Sequence, residues 1–342
     1  MSEAGSKHAS SEEIVPHESG VVWATALGIL AITFWSASGA VTRSLAGQLG
    51  PISAGAYIYT IGGILGAAWV LVSRRRTREL NRLGWRYTFI CGGLFVLYIV
   101  CYQIAVGTAT SHHQMLEALI INYLWPSLML ATAPMILGMR AKPALGIGIA
   151  IALGGTILAV QPTGELSWSG FVHRISENTL PYGLMLVAAV AWALYSNLSR
   201  RWSSEAAGGA VPFFFLASGL LLTVLRRYGP PDTPQWTPRS ITELACAALF
   251  PGILAYSFWD VAMRRGKIVL VASLSYFTPV LAAAITMLYL GLPVGDSPNI
   301  WLACGMVTVA AILCKWSVVE PTPPAPQDAD RPDRPTTQTD GK

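Results

Sequence analysis

Apolar residues occur along most of this chain in long runs, which short polar stretches separate. Each run is about 17 to 26 residues long, close to the ~20 residues that an α-helix needs to cross a bilayer. The pattern predicts ten membrane-spanning helices, here called segments 1 to 10, at residues 21–42, 52–73, 86–107, 112–137, 143–160, 181–200, 209–225, 241–263, 268–291 and 298–319.

The composition agrees with an all-α integral membrane protein. Of 342 residues, 53% are hydrophobic and 12% are charged, whereas soluble domains carry about 25% charged residues. Membrane lipid is therefore a predicted partner. The net charge of +5 does not indicate nucleic acid as a partner, because the basic residues form short clusters between apolar runs, as membrane orientation requires.

Basic residues also predict the orientation of the chain. With both termini in the cytoplasm, cytoplasmic loops and tails carry 18 Lys and Arg residues and periplasmic loops carry 5. This bias follows the positive-inside rule. The tail at 1–20 is polar and unlike a signal peptide, and the Pro-rich, charged tail at 320–342 is expected to be disordered in the cytoplasm.

A weak internal repeat divides the ten segments into two halves. Segment 3 contains CYQIAVG and segment 8 contains FWDVAMR at an offset of 157. Further matched pairs are Trp35 with Trp192 and Arg43 with Arg200 at the same offset, and Tyr123 with Tyr276 and Pro126 with Pro279 at an offset of 153. Because five is odd, repeats at 21–160 and 181–319, joined by a periplasmic connector at 161–180, must be inverted. Inverted repeats are typical of secondary transporters, which bind substrate where the repeats meet.

Aromatic residues recur in the interior of the paired segments. Trp and Tyr usually mark the membrane interface, but their polar NH and OH groups need partners in an apolar interior, so mid-helix examples favour a cavity. Such a cavity suits a medium-sized organic solute with an apolar part. The residues concerned are Trp35, Tyr98, Tyr102, Tyr123, Trp125, Trp192, Tyr195, Tyr256, Trp259 and Tyr276.

Segment 4 begins with ionisable residues, which are expensive inside a membrane. His113 and Glu117 are four residues apart and share a helix face. Glu117 is either a proton-responsive or ammonium-binding group, or a structural carboxylate held by His113 or helix-end donors. A membrane enzyme using His113 and Glu117 is the alternative of another class, but no further catalytic group is evident. His112 and His113 lack a third metal ligand, so we predict no metal, no cofactor and no enzyme.

Two prolines and one acidic residue complete the candidates. Pro126 and Pro279 occupy matching positions in segments 4 and 9, where each removes a backbone donor and bends its helix. They are either hinges or packing kinks. Asp260 precedes Arg264 by four residues, and this spacing favours an ion pair between them.

The sequence also resembles a known family. The five-plus-five repeat, with HHQMLE at 112–117, NYLWPS at 122–127 and SYFTPVL at 275–281, is similar to the EamA-type exporters of the drug/metabolite transporter superfamily, and more narrowly to YddG-type amino acid exporters. The resemblance covers about residues 21–318. It implies export of aromatic and other neutral amino acids across the bacterial inner membrane by alternating access; a multidrug or other metabolite exporter of the same fold is the alternative.

The resemblance implies a central cavity, and our candidates for it combine the matched positions with the residue-based ones. The oligomeric state is not specified by the sequence, and a monomer is compatible with it. The full candidate set is Trp35, Tyr98, Tyr102, His113, Glu117, Asn122, Tyr123, Trp125, Trp192, Tyr195, Trp259 and Tyr276, with Pro126 and Pro279 as hinges.

Overall fold

A computed structural model describes residues 18–160, 168–202, 209–228, 233–289 and 298–319. Residues 1–17 of the predicted tail at 1–20, the predicted tail at 320–342, and part of the predicted connector lie outside these residues. The described residues form sixteen α-helices: α1 (Glu18–Ala37), α2 (Gly39–Leu49), α3 (Pro51–Val72), α4 (Arg74–Asn81), α5 (Gly92–Thr108), α6 (His112–Asn122), α7 (Trp125–Leu137), α8 (Ala144–Val160), α9 (Trp168–Glu177), α10 (Leu180–Trp202), α11 (Val211–Leu225), α12 (Pro238–Ala247), α13 (Ala255–Arg265), α14 (Ile268–Leu274), α15 (Phe277–Tyr289) and α16 (Pro298–Ser317).

Other regular structure is sparse. π-Helical turns at Arg86–Cys91 lead into α5, and a second π-helical stretch at Ala248–Leu254 joins α12 to α13. A 3₁₀ turn follows α11 at Arg226–Tyr228. A two-residue strand, β1 (Arg140–Ala141), pairs antiparallel with β2 (Val318–Val319).

Seven helical stretches in the described part of the chain are long and apolar enough to cross a membrane. They are Ser19–Ala37, Pro51–Val72, Arg86–Thr108, Glu117–Leu137, Leu180–Trp202, Val211–Tyr228 and Pro238–Arg265. Shorter apolar stretches occur at Ala144–Leu158, Ile268–Ala282 and Trp301–Ser317. Their outward surfaces carry large apolar side chains that water would not solvate well, such as Trp23, Trp69 and Trp301. The protein is therefore an all-α membrane protein.

Four segments that the pattern predicts as single helices are interrupted. Segment 1 breaks at Ser38, whose hydroxyl donates to the Trp35 carbonyl at 2.7 Å. Segments 4 and 9 break immediately before the first turns that contain Pro126 and Pro279, where a missing N–H does little harm. Segment 8 breaks at Gly252, whose ψ of −117° is not helical. Hydrophobic pattern alone does not show these breaks, since the flanking residues remain apolar.

Small residues bring the longest helices into close contact. The backbones of α3 and α11 approach where Gly63 faces Leu216 and Gly219 faces Thr60, and a Cβ on Gly219 would lie 2.4 Å from the Thr60 nitrogen. On the other side of the bundle, α8 packs along α16, with Gly148 against Cys314. In addition, α5 packs on α10 and α1 packs on α13.

Candidate substrate cavity

A cavity of about 160 Å³ lies in the centre of the bundle, at the helix breaks. Sites for drug-sized ligands are usually about 300–1,000 Å³, so this space suits a smaller solute. None of the described residues that line it is charged. They are Trp35, Ser38, Thr42, Ile58, Tyr59, Tyr98, Tyr102, Gln103, Leu119, Asn122, Tyr123, Trp125, Ala247, Pro251, Gly252, Tyr256 and Thr278.

Tryptophan and tyrosine rings form one side of the cavity. The Trp35 ring centroid lies 5.0 Å from that of Tyr256 and 5.4 Å from that of Trp259. The Trp125 ring meets Trp259 edge-on at 5.2 Å. Edge-on contacts at these distances are favourable and fix the rings against one another. The rings therefore present a rigid apolar surface to a ligand in the cavity.

A broken helix fixes the position of Trp35. Its indole Nε1 donates to the Pro251 carbonyl at 3.1 Å, at the π-helical stretch that joins α12 to α13. Because Pro251 has no N–H, the Ala247 carbonyl cannot receive the usual α-helical hydrogen bond. Polar backbone at this depth is tolerated where it lines a cavity, and Ala247, Pro251 and Gly252 all line this one.

Polar side chains also line the cavity. The Tyr256 hydroxyl lies near those of Tyr59 and Tyr98, and the side chain of Asn122 lies near the Tyr98 hydroxyl. The Asn122 Oδ1 and Thr278 Oγ atoms are buried and have no hydrogen-bond partner in the described structure. Buried polar atoms are almost always paired. These two therefore mark the place where a polar group of a ligand or a water would bind.

The structure brings six of the twelve candidate residues into the cavity wall: Trp35, Tyr98, Tyr102, Asn122, Tyr123 and Trp125. Four others are buried close to it without lining it: Trp192, Tyr195, Trp259 and Tyr276. Trp192 packs 4.7 Å from Tyr98 and 5.8 Å from Trp35, measured between ring centroids.

Three of the four backing residues have a side-chain partner within the described part of the protein: Trp259, Tyr276 and Tyr195 all form hydrogen bonds. Trp259 Nε1 donates to Ser196 Oγ at 3.1 Å, and Tyr276 shares a hydrogen bond of 2.7 Å with Ser127. The Tyr195 hydroxyl donates to Asp260 at 3.0 Å. In this conformation they support the wall rather than contact a ligand.

Glu117 lies outside the cavity wall. Arg174 of α9 donates to both carboxylate oxygens, with Nε 3.1 Å from each, and the Tyr182 hydroxyl donates to Oε2 at 2.6 Å. Hydrogen bonding to this carboxylate raises the pKa of the Arg174 guanidinium. The structure thus holds Glu117 as the anchor of α9 and α10 on α6. The side chain of His113 lies outside the described part of the structure.

Asp260 pairs with Arg264, as its spacing predicted. Arg264 Nη2 lies 2.7 Å from Asp260 Oδ2, and both side chains are only 2% exposed. No group of three or more His, Cys, Asp or Glu side chains among the described residues is arranged to hold a metal ion.

Several lining residues did not enter the candidate set. Tyr59, Gln103 and Thr278 are distant in sequence from the segment 4 motif and reach the cavity only through helix packing. Tyr256 is named among the mid-helix aromatic residues but not in the final set, and it also lines the cavity. One signal was available: the Pro251-Gly252 pair interrupts an otherwise apolar run, and Pro-Gly pairs mark breaks.

The fold and the cavity together define a multi-pass membrane protein with a small, aromatic-lined cavity. The sequence pattern of the EamA-like transporter family matches residues 22–161 and again residues 179–314, and the chain belongs to this family.

Named relatives agree with this membership. The chain is 30% identical over 291 residues to the aromatic amino acid exporter YddG of Salmonella typhimurium, and equally to that of Escherichia coli (strain K12), covering 85% of this chain and 96% of each relative. YddG of Ancylobacter novellus is 31% identical over 268 residues. One crystal structure, 26% identical, superposes with a TM-score of 0.70 and covers 85% of this chain and 96% of that one.

Proposed function

We propose that the chain crosses the membrane ten times, as two inverted five-helix repeats at residues 21–160 and 181–319. The seven long and three shorter apolar stretches coincide one for one with the ten predicted segments. Helix pairing supports the repeat. α3 packs on its counterpart α11, and α8 packs on its counterpart α16. The contact of α5 with α10 has its mirror image in the contact of α13 with α1.

The breaks in segments 4 and 9 also correspond. The turn residues between the helices are 123–124 in one repeat and 275–276 in the other, within one residue of the offset of 153 that pairs Tyr123 with Tyr276. Pro126 and Pro279 then serve as matched hinges about which the halves rock. With the predicted orientation, both termini face the cytoplasm of a bacterium, and the cavity opens in the periplasmic half.

The function that this geometry supports best is export of aromatic and other neutral amino acids by alternating access. The observation that carries it is the cavity between the repeats, which combines a wall of aromatic rings with two unpartnered acceptors, Asn122 Oδ1 and Thr278 Oγ. An aromatic side chain packs on Trp35 and Trp125, while the ammonium group donates to the two oxygens. The identity with YddG exporters over most of both chains points to the same substrate class.

Proton coupling through Glu117 is not part of this proposal. Arg174 and Tyr182 already occupy both carboxylate oxygens, so Glu117 holds helices together. Since this carboxylate acts as a structural anchor, an imposed pH gradient should leave phenylalanine accumulation unchanged.

The test is uptake of radiolabelled phenylalanine into liposomes that contain the purified protein. Trp125→Ala should lower uptake at least about tenfold, because it removes one aromatic wall. Trp23→Ala is the matched control, since Trp23 is 66% exposed on the outer surface. Equal uptake by the two variants would remove the aromatic wall from the account.

A broader exporter of metabolites or drugs is the second candidate, because none of the described lining residues is charged. A competition panel of amino acids and organic cations separates the two. Neutral amino acids should compete, while bulky cations should not, given a cavity of about 160 Å³.

A further inference from the structure

A buried charged cluster lies next to the cavity but not in its wall. Asp260 receives hydrogen bonds from the Tyr87 hydroxyl at 2.8 Å, the Tyr195 hydroxyl at 3.0 Å and Arg264 Nε at 2.9 Å. We call these four residues the inner cluster. Asp260 lies one helical turn, about 6 Å, beyond the cavity residue Tyr256, toward the other end of α13.

Helix packing alone does not explain this cluster. Burying two charges carries a desolvation penalty that apolar residues of similar size avoid, and ionisable groups inside a membrane usually serve a function. In addition, the Arg264 side chain is only 2% exposed, and its Nη1 atom is buried and has no hydrogen-bond partner in the described structure. The guanidinium thus retains an unused donor that an anionic group would satisfy.

The internal repeat relates the inner cluster to the cavity. Four cavity residues have counterparts at the offset of 157: Trp35 with Trp192, Ser38 with Tyr195, Tyr102 with Trp259, and Gln103 with Asp260. The four counterparts are all buried and are packed together: Trp192 contacts both Tyr195 and Trp259, and Tyr195 bonds to Asp260. In an inverted repeat, the second half repeats the first from the opposite face of the membrane.

During alternating access the two halves exchange conformations. The residues that correspond by the repeat to the present cavity residues then line a cavity that opens on the other side of the membrane. Asp260 then takes the place that Gln103 holds in the present cavity. Unlike Gln103, it brings a negative charge and, through Arg264, a positive one.

We propose that the inner cluster is a second binding site, open to the cytoplasm in the opposite conformation, which recognises the charged backbone of a free amino acid. The ammonium group binds Asp260, and the carboxylate binds Arg264. A zwitterion can replace the internal ion pair with no net change in buried charge. In the described conformation the two residues neutralise each other and close the site. This inference rests on the proposed transport of amino acids.

The test compares transport from the two membrane faces. Inside-out vesicles present the inner face to radiolabelled phenylalanine, and right-side-out vesicles present the outer face. The competitors are phenylalaninamide, which lacks the carboxylate, and 3-phenylpropionate, which lacks the ammonium group. Wild-type protein should prefer phenylalanine over both competitors from the inner face, and over 3-phenylpropionate from the outer face, where the ammonium group binds Asn122 and Thr278. Absence of phenylalanine transport by wild-type protein would reject the proposed function itself.

The main variant is Asp260→Asn/Arg264→Gln, because it leaves no unpaired buried charge. We expect its preference for phenylalanine to fall roughly tenfold to a hundredfold from the inner face, the value of a charge-assisted contact, and to stay at the wild-type level from the outer face. The control is Arg75→Gln/Glu79→Gln, which neutralises an exposed pair with the same spacing on α4 and should change neither preference.

Two results would overturn the inference. One is that the main variant, assayed from the inner face, still prefers phenylalanine over the two competitors as strongly as the wild-type protein does. The other is an equal loss from both faces, which would make the pair a packing element only. If the main variant does not fold, Arg264→Lys retains the positive charge but loses the planar donor fork. In transport from the inner face, and only from there, this variant should no longer prefer phenylalanine to phenylalaninamide. An unchanged preference would equally reject the site.

Discussion

The crossing of α3 and α11 provides a prediction whose magnitude follows from the structure. At Gly219 an added Cβ would lie 2.4 Å from both the nitrogen and the hydroxyl of Thr60, and 2.8 Å from its Cα. Carbon atoms pack at about 3.5–4.0 Å. Gly219→Ala therefore forces the helix backbones apart by about 1 Å, because the nitrogen and Cα of Thr60 cannot move independently of α3.

Overpacking of this kind costs about 1–3 kcal/mol. Alanine also favours a helix over glycine by about 0.5–1 kcal/mol, which offsets part of the loss. The matched control is Gly93→Ala in α5, where the added Cβ meets nothing within 4 Å. That variant receives the helical gain alone, so the two alanine variants should differ by about 1–3 kcal/mol in stability.

The measurement is the apparent melting temperature of each purified variant in the same detergent. For a chain of this size, about 1 kcal/mol corresponds to roughly 1–2 °C. Gly219→Ala should therefore melt about 1–4 °C below Gly93→Ala. Equal melting temperatures would show that α3 and α11 do not approach so closely, and would remove one support for the inverted repeat.

Three further predictions concern the cavity and its surroundings. Thr278→Val removes a buried hydroxyl that has no partner in the described structure. The melting temperature should therefore stay the same or rise, while the KM for phenylalanine transport in liposomes should rise several-fold. A lower melting temperature with an unchanged KM would mean that the hydroxyl is structural. Glu117→Gln should lower stability by about 1 kcal/mol, since Arg174 is partly exposed. Transport should be independent of an imposed pH gradient both in this variant and in the wild-type protein. If a pH gradient drives transport by the wild-type protein but not by the variant, Glu117 is a proton site. Gly55→Ala should weaken phenylalanine uptake, because the new Cβ would lie 2.1 Å from Gln103 Nε2 and push that cavity side chain aside; unchanged uptake would exclude Gln103 from the site.

Sequence pattern anticipated the membrane class and the family, because apolar runs of membrane-spanning length and internal repeats are local or periodic properties. The aromatic candidates were also accessible, since a mid-helix Trp or Tyr needs a polar partner wherever the helix packs. Six candidates line the cavity, and four more, Trp192, Tyr195, Trp259 and Tyr276, are buried close behind it.

The partners of charged residues were harder to foresee. Asp260 and Arg264 are one turn apart on one helix, so their pairing was predictable. Arg174 is 57 residues from Glu117 and sits on a separate helix, so only the packing of α9 on α6 brings the two together. For the same reason the roles of Gln103 and Thr278 follow from the arrangement of helices and not from any local motif.

The central claim is that the cavity carries an aromatic amino acid between the two sides of the membrane. Counterflow tests it most directly: liposomes containing the protein are loaded with unlabelled phenylalanine and diluted into a trace of labelled phenylalanine. We expect transient accumulation of label that tryptophan and tyrosine suppress, and that Trp125→Ala abolishes while Trp23→Ala does not. Absence of counterflow with every neutral amino acid would contradict the account.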